Sequence, residues 1–398
     1  MVPAIRQAYN NHFTQDKYLA FLKDMDAKHP GAIDFRIAET PVFISKEFTD
    51  KMLAACESIV DVITQTNFNA LTKNAIPEGL KVPNENKHSH FIAFDFGICE
   101  DAQGTLEPQL IEMQGFPSLF AYQVWMDEVT RKHFPIPENY STYLNGYNKE
   151  SYLQLLKEII VGDLNPENVV LLEIEPHKQK TRIDFYCTND YLQIPIVCLS
   201  QLKKLGRQLF YESEGKFIEI KRIYNRVLFD ELQHASPELQ AQGKLLFEDI
   251  DVEFIPHPDW FYKISKYTLP FIKHPYVPQT VFLDEIGEMP KDLENYVLKP
   301  LFSYAGQGVI IDVTLEDIEK IEEQHNWILQ HKVKYADIIE TPEGHAKTEI
   351  RIFYFWKDGE ARPVAVNNLA RLSKGKMIGV NYNKDKTWVG GSLAYFEQ

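Results

Sequence analysis

Two short stretches are the strongest indication of the fold of this chain: residues 91–96 read FIAFDF and residues 109–114 read QLIEMQ. The first is apolar except for Asp95, the second has three apolar residues around Glu112, and a polar, glycine-containing turn separates them. Two strand-like segments around such a turn are typical of a β-hairpin. Side chains alternate between the two faces of a strand, so Glu112 and Gln114 share one face. The sequence therefore predicts a hairpin that carries Asp95 and Glu112 on neighbouring strands with Gln114 on the face of Glu112; taken alone, it also fits a hairpin whose acidic side chains face solvent.

A second motif lies near the other end of the chain, where residues 296–300 form a strand-like run that contains Lys299. A loop with Ser303, Gly306 and Gly308 follows. Glycine lets backbone N–H groups approach a polyphosphate closely, and a lysine can hold a phosphate as a point charge. Taken alone, the motif also fits an ordinary hairpin with a surface lysine.

The rest of the chain alternates between helical and strand-like patterns. Helical periodicity covers most of the first 70 residues and returns over residues 120–165. Short apolar runs at residues 168–174 and 194–199 are typical of buried parallel strands, with a helix-like stretch between them. We therefore expect a mixed α/β (α+β) fold in three regions. The first region, residues 1–165, contains the hairpin. The second, residues 166–255, is a small α/β unit, and the third, residues 256–398, contains the lysine motif.

Composition excludes several classes of protein. A chain of 398 residues is too long to fold around one compact hydrophobic core, so we expect more than one domain. Its net charge of −15 argues against a general nucleic-acid binder. No apolar run approaches the length needed to cross a bilayer, and residues 1–6 lack the apolar run of a secretory signal. The four cysteines form no CxxC pair and are expected to be buried thiols in a reducing compartment. We expect a cytoplasmic protein without nucleic-acid or membrane partners.

Three further side chains are ambiguous in the sequence. His88 and His90 precede the hairpin at a spacing of two, so they can face one side and touch a substrate or a metal. A pair of solvated loop histidines is the simpler interpretation. Arg226 ends an alternating stretch, residues 218–226, and fits either a substrate-carboxylate contact or a surface ion pair at a strand edge.

The order of the remaining motifs adds a family resemblance. After the hairpin come Lys266, the stretch YVPQT at residues 276–280, Lys299 with its loop, the stretch QHKV at residues 330–333, and a strand with Arg351. This order resembles the ATP-grasp superfamily in its circularly permuted form. That form is found in glutathionylspermidine synthases and eukaryotic glutathione synthetases, where the metal hairpin precedes the lysines.

The resemblance implies a circularly permuted ATP-grasp fold with ATP and Mg²⁺ as cofactors. Residues 166–255 would be a Rossmann-like substrate domain and residues 256–398 the nucleotide-binding domain. It implies an ATP-dependent ligase that joins a small-molecule carboxylate to an amine through an acyl phosphate. The implied roles are phosphate binding by Lys266, Lys299 and the loop of Ser303, Gly306 and Gly308; adenine binding by Gln330, His331 and Val333; metal binding by Asp95, Glu112 and Gln114; catalysis by Arg351 and Arg371; and substrate binding by Ser118 and Arg226.

Three departures from the family pattern bear on this expectation. Gln114 replaces an asparagine, His331 stands where an acidic residue is usual, and Ala93 stands where glutathionylspermidine synthases have an arginine. Arg351, Arg371 or Lys374 would have to supply the missing cation. Two other functions therefore remain open beside the ligase: an ATP-binding module without turnover, and a kinase that uses the same fold.

Overall fold

The computed structural model describes residues 2–302, 308–375, 378, 383 and 385–398. Ser303 and Gly306 of the expected phosphate loop lie outside the described residues. The α-helices, in chain order, are α1 (Pro3–His12), α2 (Gln15–Ala27), α3 (Lys46–Ile63), α4 (Phe68–Leu71), α5 (Ala121–His133), α6 (Lys149–Ile160), α7 (Arg182–Leu192), α8 (Phe229–Gln233), α9 (Pro237–Gly243), α10 (Trp260–Lys263) and α11 (Leu315–Glu319).

The strands are short outside one long central sheet. They are β1 (Val42–Ile44), β2 (Phe91–Glu100), β3 (Leu106–Gln114), β4 (Tyr140–Ser141), β5 (Val169–Glu173), β6 (Ile196–Cys198), β7 (Lys203–Leu205), β8 (Gln208–Ser213), β9 (Lys216–Ile220), β10 (Arg222–Asn225), β11 (Glu253–Ile255), β12 (Thr280–Phe282), β13 (Tyr296–Pro300), β14 (Trp327–His331), β15 (Ile339–Thr341), β16 (Gly344–Phe355), β17 (Val364–Ser373), β18 (Gly390–Ser392) and β19 (Ala394–Glu397).

The central sheet is antiparallel and has the order β18-β17-β16-β2-β3, with β15 also paired to β16. Strands β2 and β3 form the predicted hairpin, so that expectation is confirmed. Asp95 lies opposite Glu112, and the register shifts between Asp95 and Phe96. Strand β16, from the far end of the chain, pairs along the other edge of β2 and places Arg351 directly opposite Asp95.

The two faces of the central sheet differ in chemistry. On one face, alternate residues such as Phe94 and Ile352 share a hydrophobic core with helix α3. On the other face, Phe91 and Ala93 belong to a second apolar core. Further along that second face the apolar residues give way to charged ones, beginning with Asp95. The strand alternation thus places a charged patch at one end of an otherwise apolar face.

A four-stranded parallel sheet of order β11-β10-β5-β6 forms the core of the predicted α/β unit. From β5 the chain passes to β6 on one side and later returns to β10 on the other side. The strand order therefore reverses at β5 and β10, where open parallel sheets usually bind ligands beyond the carboxyl ends of the strands. The stretch over residues 218–226 is not one element, because β9 joins an antiparallel sheet with β7 and β8 whereas β10 joins the parallel sheet.

Two smaller sheets complete the fold. Strands β12, β14 and β13 form an antiparallel sheet that carries the lysine motif. Strands β1, β19 and β4 join the two ends of the chain, with β1 parallel to β19. The helical expectation for the first 70 residues missed β1, because a strand of three residues needs a partner that is distant in sequence. Within the described residues, no helix is both long and apolar enough to cross a membrane.

Candidate functional site

Lys266 lies against the hairpin beside Glu112, with its Nζ 3.6 Å from Oε1 of that carboxylate. Gly115, just after β3, makes this approach possible. Its N–H donates to the Ile264 carbonyl at 2.7 Å, and a Cβ at Gly115 would lie 2.4 Å from the Trp260 carbonyl oxygen. Burial lowers the pKa of Lys266, and the neighbouring Glu112 opposes that shift. A buried lysine is thus held next to the expected metal ligand.

Lys299 reaches the same hairpin from β13, in the antiparallel sheet of β12, β14 and β13. Its Nζ donates to the Ile111 carbonyl at 3.1 Å and to Oε1 of Gln330 at 2.6 Å. The Gln330 amide is fixed in turn, since its Nε2 donates to Thr280 Oγ1 at 2.9 Å. Burial lowers the pKa of Lys299 to about 8, with Glu112 opposing this and Lys266 adding to it. The structure therefore brings the two expected phosphate-binding lysines together at Glu112.

Asp95 is held by both expected catalytic arginines. Arg351 donates Nε to Oδ1 at 2.6 Å and Nη2 to Oδ2 at 2.7 Å, and Arg371 donates to Oδ2 at 2.9 Å. Burial raises the pKa of Asp95, but the charge and hydrogen bonds of Arg351 and the charge of Arg371 outweigh it and hold the pKa below its usual range. The three side chains form one buried charged cluster on the central sheet.

Glu349 and Tyr335 extend this cluster, although no sequence motif predicted a role for them. Arg371 donates to Glu349 Oε2 at 2.7 Å, and the Tyr335 hydroxyl donates to the same carboxylate. Tyr335 can reach it because Gly97 lacks a side chain; a Cβ there would lie 2.7 Å from Tyr335 Cε1. Glu349 lies two residues before Arg351 on one strand face, so period-two alternation alone would have identified it.

The oxygen donors fit a magnesium ion only in part. An ionised carboxylate offers about four acceptor positions, and the two guanidinium groups take three of those on Asp95. Glu112 is more open, since its side chain is 27% exposed and touches Lys266. Gln114 is half-buried and shares its strand face. The expected ligand set therefore reduces to Glu112 and Gln114 unless an arginine releases Asp95.

The expected adenine segment follows β14. The His331 N–H donates to the Gln279 carbonyl at 2.9 Å, and the His331 ring packs on Tyr296 with centroids 4.4 Å apart. Among the described residues, the Val333 N–H has no backbone acceptor. Gly308, at the end of the lysine loop, has φ +74°, and a Cβ there would come within 3.1 Å of Pro300. Val333 therefore keeps a backbone donor beyond the end of β14, and a glycine-dependent loop end lies beside Pro300, next to Lys299.

Arg226 follows β10 and is buried, so it is not the surface ion pair that the sequence also allowed. It donates Nη1 to the Pro117 carbonyl at 2.8 Å, and its guanidinium lies 4.9 Å from the centre of the Phe116 ring. Half-buried Ser118 is the next residue in that loop. Asn225, also buried, leaves its Nδ2 without a partner among the described residues. These groups meet at the carboxyl ends of β5 and β10.

The alanine that departs from the family pattern is fully buried. Ala93 packs in an apolar core with Phe91 and Phe353, so a guanidinium there would lose its hydration without a partner. Arg351 and Arg371 supply the cations on this face. Ala93 pairs with Phe353, two residues from Arg351, and Arg371 pairs with Glu349, four residues from Phe353. Lys374 lies elsewhere, 4.0 Å from Glu343, and does not join this cluster.

The interpretation of His88 and His90 as solvated loop histidines was wrong. His90 is 1% exposed, and the His88 ring stacks on Trp356 with centroids 4.2 Å apart and planes 13° apart. The turn between β16 and β17 covers both rings and brings Asp358 to them. The cysteines are free thiols as expected, but Cys198 is only half-buried whereas Cys56, Cys99 and Cys187 are buried.

Comparisons with known proteins bear on the fold. No protein-family model matches the sequence, and no curated protein matches it. Among solved structures, a glutathione synthetase-like effector, GSS30 from Globodera pallida in its apo form, is similar over 96% of each chain, with a TM-score of 0.59 and 10% sequence identity. The protein therefore has a mixed α/β architecture and shares the fold of a glutathione synthetase-like protein. At this identity the likeness concerns the fold alone.

Proposed function

We propose that this protein is an ATP-grasp ligase that binds ATP and magnesium where the central sheet meets the sheet of β12, β14 and β13. It would transfer the γ-phosphoryl group of ATP to a carboxylate oxygen, releasing ADP. The nitrogen of an amine would then attack the acyl carbon of the acyl phosphate, and phosphate would leave. The observation that carries this proposal is the convergence of Lys266 and Lys299, from two separate segments, on Glu112 of the hairpin.

Lys299 suits polyphosphate because the acceptors of its hydrogen bonds are neutral. Lys299 donates to a carbonyl and an amide oxygen, which are neutral acceptors. Burial disfavours its charge, as the lowered pKa shows. A phosphate placed between Lys266 and Lys299 would compensate both cations, and charge-assisted hydrogen bonds are about twice as strong as neutral ones. This is why we assign the phosphates of ATP to this point.

Magnesium would be held by Glu112 and Gln114, with phosphate oxygens and water completing its coordination. The ion would neutralise charge on the transferring phosphoryl group. The other contributions to catalysis would come from side chains of the protein. Arg351 and Arg371 lie on the neighbouring strands and would stabilise charge on the phosphoryl oxygens, and Glu349 and Tyr335 orient Arg371.

The carboxylate substrate would bind at the carboxyl ends of β5 and β10. Arg226 has a buried guanidinium whose Nε has no partner among the described residues, and Asn225 Nδ2 is likewise unpartnered there. Buried donors without acceptors are costly, so a ligand oxygen that accepts from them is favoured. The strand order reverses at this point, where open parallel sheets usually bind ligands. Ser118 lies in the loop that Arg226 contacts.

A second function, nucleotide binding without turnover, is favoured by one observation. Both carboxylate oxygens of Asp95 are taken by guanidinium groups, which removes the expected second carboxylate ligand of the metal. In that case the arginines would serve to stabilise the sheet and not the transferring phosphate. The two functions share the lysine site and differ only in whether phosphate is released.

Calorimetry with magnesium–ATP on the wild type and on Lys299→Met tests the binding step. We expect binding that weakens at least about tenfold in the variant, since a hydrogen bond to a charged group contributes roughly 1.5–3 kcal/mol. Lys320→Met is the matched control, because Lys320 forms only an exposed helix ion pair with Glu316. Absence of binding by a folded wild type would overturn both functions.

A phosphate-release screen then separates the two functions. Carboxylates are offered with and without amines to the protein that binds ATP. Phosphate release that needs both a carboxylate and an amine supports the ligase. Tight nucleotide binding with no release for any pair across a broad panel supports the binding module instead.

A further inference from the structure

Two histidines and one aspartate converge at the end of the central sheet away from Lys299. His88 Nε2 lies 3.2 Å from Asp358 Oδ1, and His90 Nε2 lies 3.4 Å from Asp358 Oδ2. One ligand atom from each of the three residues lies within 4.8 Å of the other two. His88 and His90 precede β2, whereas Asp358 is in the turn after β16, so two distant segments of the chain build this cluster.

The spacing matches what a small divalent ion needs. Zinc binds imidazole nitrogen and carboxylate oxygen at about 2.0–2.1 Å, so two ligand atoms of a tetrahedral site lie about 3.3 Å apart. The distances from His88 Nε2 to Asp358 Oδ1 and from His90 Nε2 to Asp358 Oδ2 have that size before any ion is added, so the carboxylate faces each ring with a different oxygen. Imidazole together with a carboxylate favours zinc and its first-row neighbours over magnesium, which prefers oxygen ligands alone.

The His88 imidazole ring is also oriented for this role. His88 Nδ1 lies 3.3 Å from the Ser89 carbonyl, which fits a proton on Nδ1 and leaves Nε2 facing Asp358. A backbone or carboxylate acceptor on the second ring nitrogen is the usual support of a metal-bound histidine. Trp356 holds the His88 ring by stacking, and its backbone N–H donates to the His90 carbonyl at 2.9 Å. The His88 ring therefore needs little reorganisation to bind an ion, whereas the buried Nδ1 of His90 has no partner among the described residues.

We propose that His88, His90 and Asp358 form a binding site for one divalent transition-metal ion of the zinc class. Three protein ligands leave a fourth position, and solvent reaches the cluster from the side of Asp358, whose side chain is 65% exposed. Zinc sites with three protein ligands and one open position hold a water or a small ligand there. The ion would also join the start of β2 to the β16–β17 turn and so stiffen that end of the sheet.

This site is separate from the proposed ATP site. Five residues along the chain separate His90 from Asp95, about 17 Å at the rise of an extended strand. The intervening side chains on that face, Phe91 and Ala93, are apolar and fully buried. The proposal does not rest on the proposed ligase function, and either can fail without the other.

Zinc titration of untagged protein by calorimetry, in excess magnesium, tests the site. Magnesium occupies oxygen-rich sites, so it leaves the histidine cluster as the place for zinc. We expect one equivalent of zinc for the wild type and at least about tenfold weaker binding for Asp358→Asn, since loss of even a supporting residue costs 10–100-fold. Glu360→Gln is the matched control: it removes the same charge two residues away, and Glu360 is exposed.

Cobalt provides a local readout that does not depend on stoichiometry. Bound cobalt(II) in a four-coordinate site absorbs visible light strongly, and a paramagnetic ion next to His88 would quench the Trp356 fluorescence because the two rings are stacked. At a cobalt concentration just above the dissociation constant of the wild type, both signals should appear in the wild type and in Glu360→Gln and be strongly reduced in Asp358→Asn and His88→Gln. Failure of folded wild type to bind zinc or cobalt overturns the proposal, as does equal affinity in Asp358→Asn.

Discussion

Arg351 and Asp95 face each other across two neighbouring strands of the central sheet and share two parallel hydrogen bonds, Nε to Oδ1 at 2.6 Å and Nη2 to Oδ2 at 2.7 Å. Asp95 is 1% exposed, so this pair is screened from water. The pair joins the hairpin to a strand that is about 250 residues away in sequence. It therefore ties the candidate metal ligands to the body of the fold.

Replacing Asp95 with asparagine should destabilise the protein. Removing one partner of a buried ion pair leaves the other charge uncompensated, which costs about 3–5 kcal/mol; because Arg371 keeps Glu349 as a partner, we expect about 2–4 kcal/mol. Chemical denaturation of the wild type and Asp95→Asn measures this difference. Asp337→Asn, at an exposed position, is the control and should change the free energy of unfolding by less than about 0.5 kcal/mol.

The same substitution should have a defined pH dependence. The arginines hold the pKa of Asp95 below its usual range against the effect of burial, so its stabilising effect is complete above the unfolded pKa of about 3.9. It is lost as the pH falls through the lower, folded pKa. The gap in unfolding free energy between wild type and Asp95→Asn should thus be constant near neutrality and shrink in acid. A gap that widens in acid would contradict the role given to Asp95.

Affinity for magnesium–ATP should fall at alkaline pH because of Lys299. Its pKa is lowered to about 8, so the free protein loses this cation as the pH rises through that value. Phosphate binding favours the charged form, and the affinity should therefore be flat below about pH 8 and decline above it. Calorimetry across this range provides the measurement. In Lys299→Arg, whose side chain stays charged, any residual binding should lack this decline.

Gly97→Ala tests the contact that positions Tyr335. The added Cβ would lie 2.7 Å from Tyr335 Cε1 and 3.2 Å from Ile111 Cδ1, so the ring must shift. Overpacking of this kind costs about 1–3 kcal/mol, and thermal or chemical unfolding would show it. Gly287→Ala is the control, because a Cβ there meets nothing within 4 Å.

A double-mutant cycle identifies the cause of that cost. With Tyr335→Ala as background, Gly97→Ala should lose most of its effect, because the atom it meets is gone. Equal costs in both backgrounds would show that the strain comes from another neighbour. Since Tyr335 donates to Glu349, the single Gly97→Ala variant should also disturb the Arg371 cluster.

Glu173→Gln should stabilise the protein in alkaline solution. Burial raises the pKa of Glu173 to about 8, so the folded state keeps a proton that the unfolded chain releases near the ordinary value of 4.5. Wild-type stability therefore falls as the pH rises between these two values, and the variant removes that loss. Above about pH 8 we expect a gain of roughly 2 kcal/mol or more.

Glu175→Gln is the control for Glu173 and should leave stability nearly unchanged. Glu175 forms an exposed ion pair with Lys178, and such pairs contribute little. In Glu173→Gln the new amide oxygen would still accept the Ile174 N–H, which the Glu173 carboxylate accepts at 2.7 Å, so the substitution isolates the charge. A variant with the same pH profile as the wild type would show that Glu173 is not protonated in the folded state.

The local elements that carry the site could be predicted from the sequence alone. The strand-like runs at residues 91–96 and 109–114, around a polar turn, predicted a hairpin with Asp95 and Glu112, and β2 and β3 pair in that way. The strand that contains Lys299 and the apolar runs of the parallel sheet were also predictable, because burial on one or two faces leaves a direct periodic signal.

Which of these side chains meet depends on long-range packing that no local pattern predicts. Arg351 pairs with Asp95, and Lys266 and Lys299 converge on Glu112. Both contacts depend on the packing and strand register of segments that are far apart in the chain. The same holds for His88, His90 and Asp358, whose burial follows from a turn that no local pattern links to them. Periodicity specifies the face on which a side chain lies, whereas its partner is set by long-range packing.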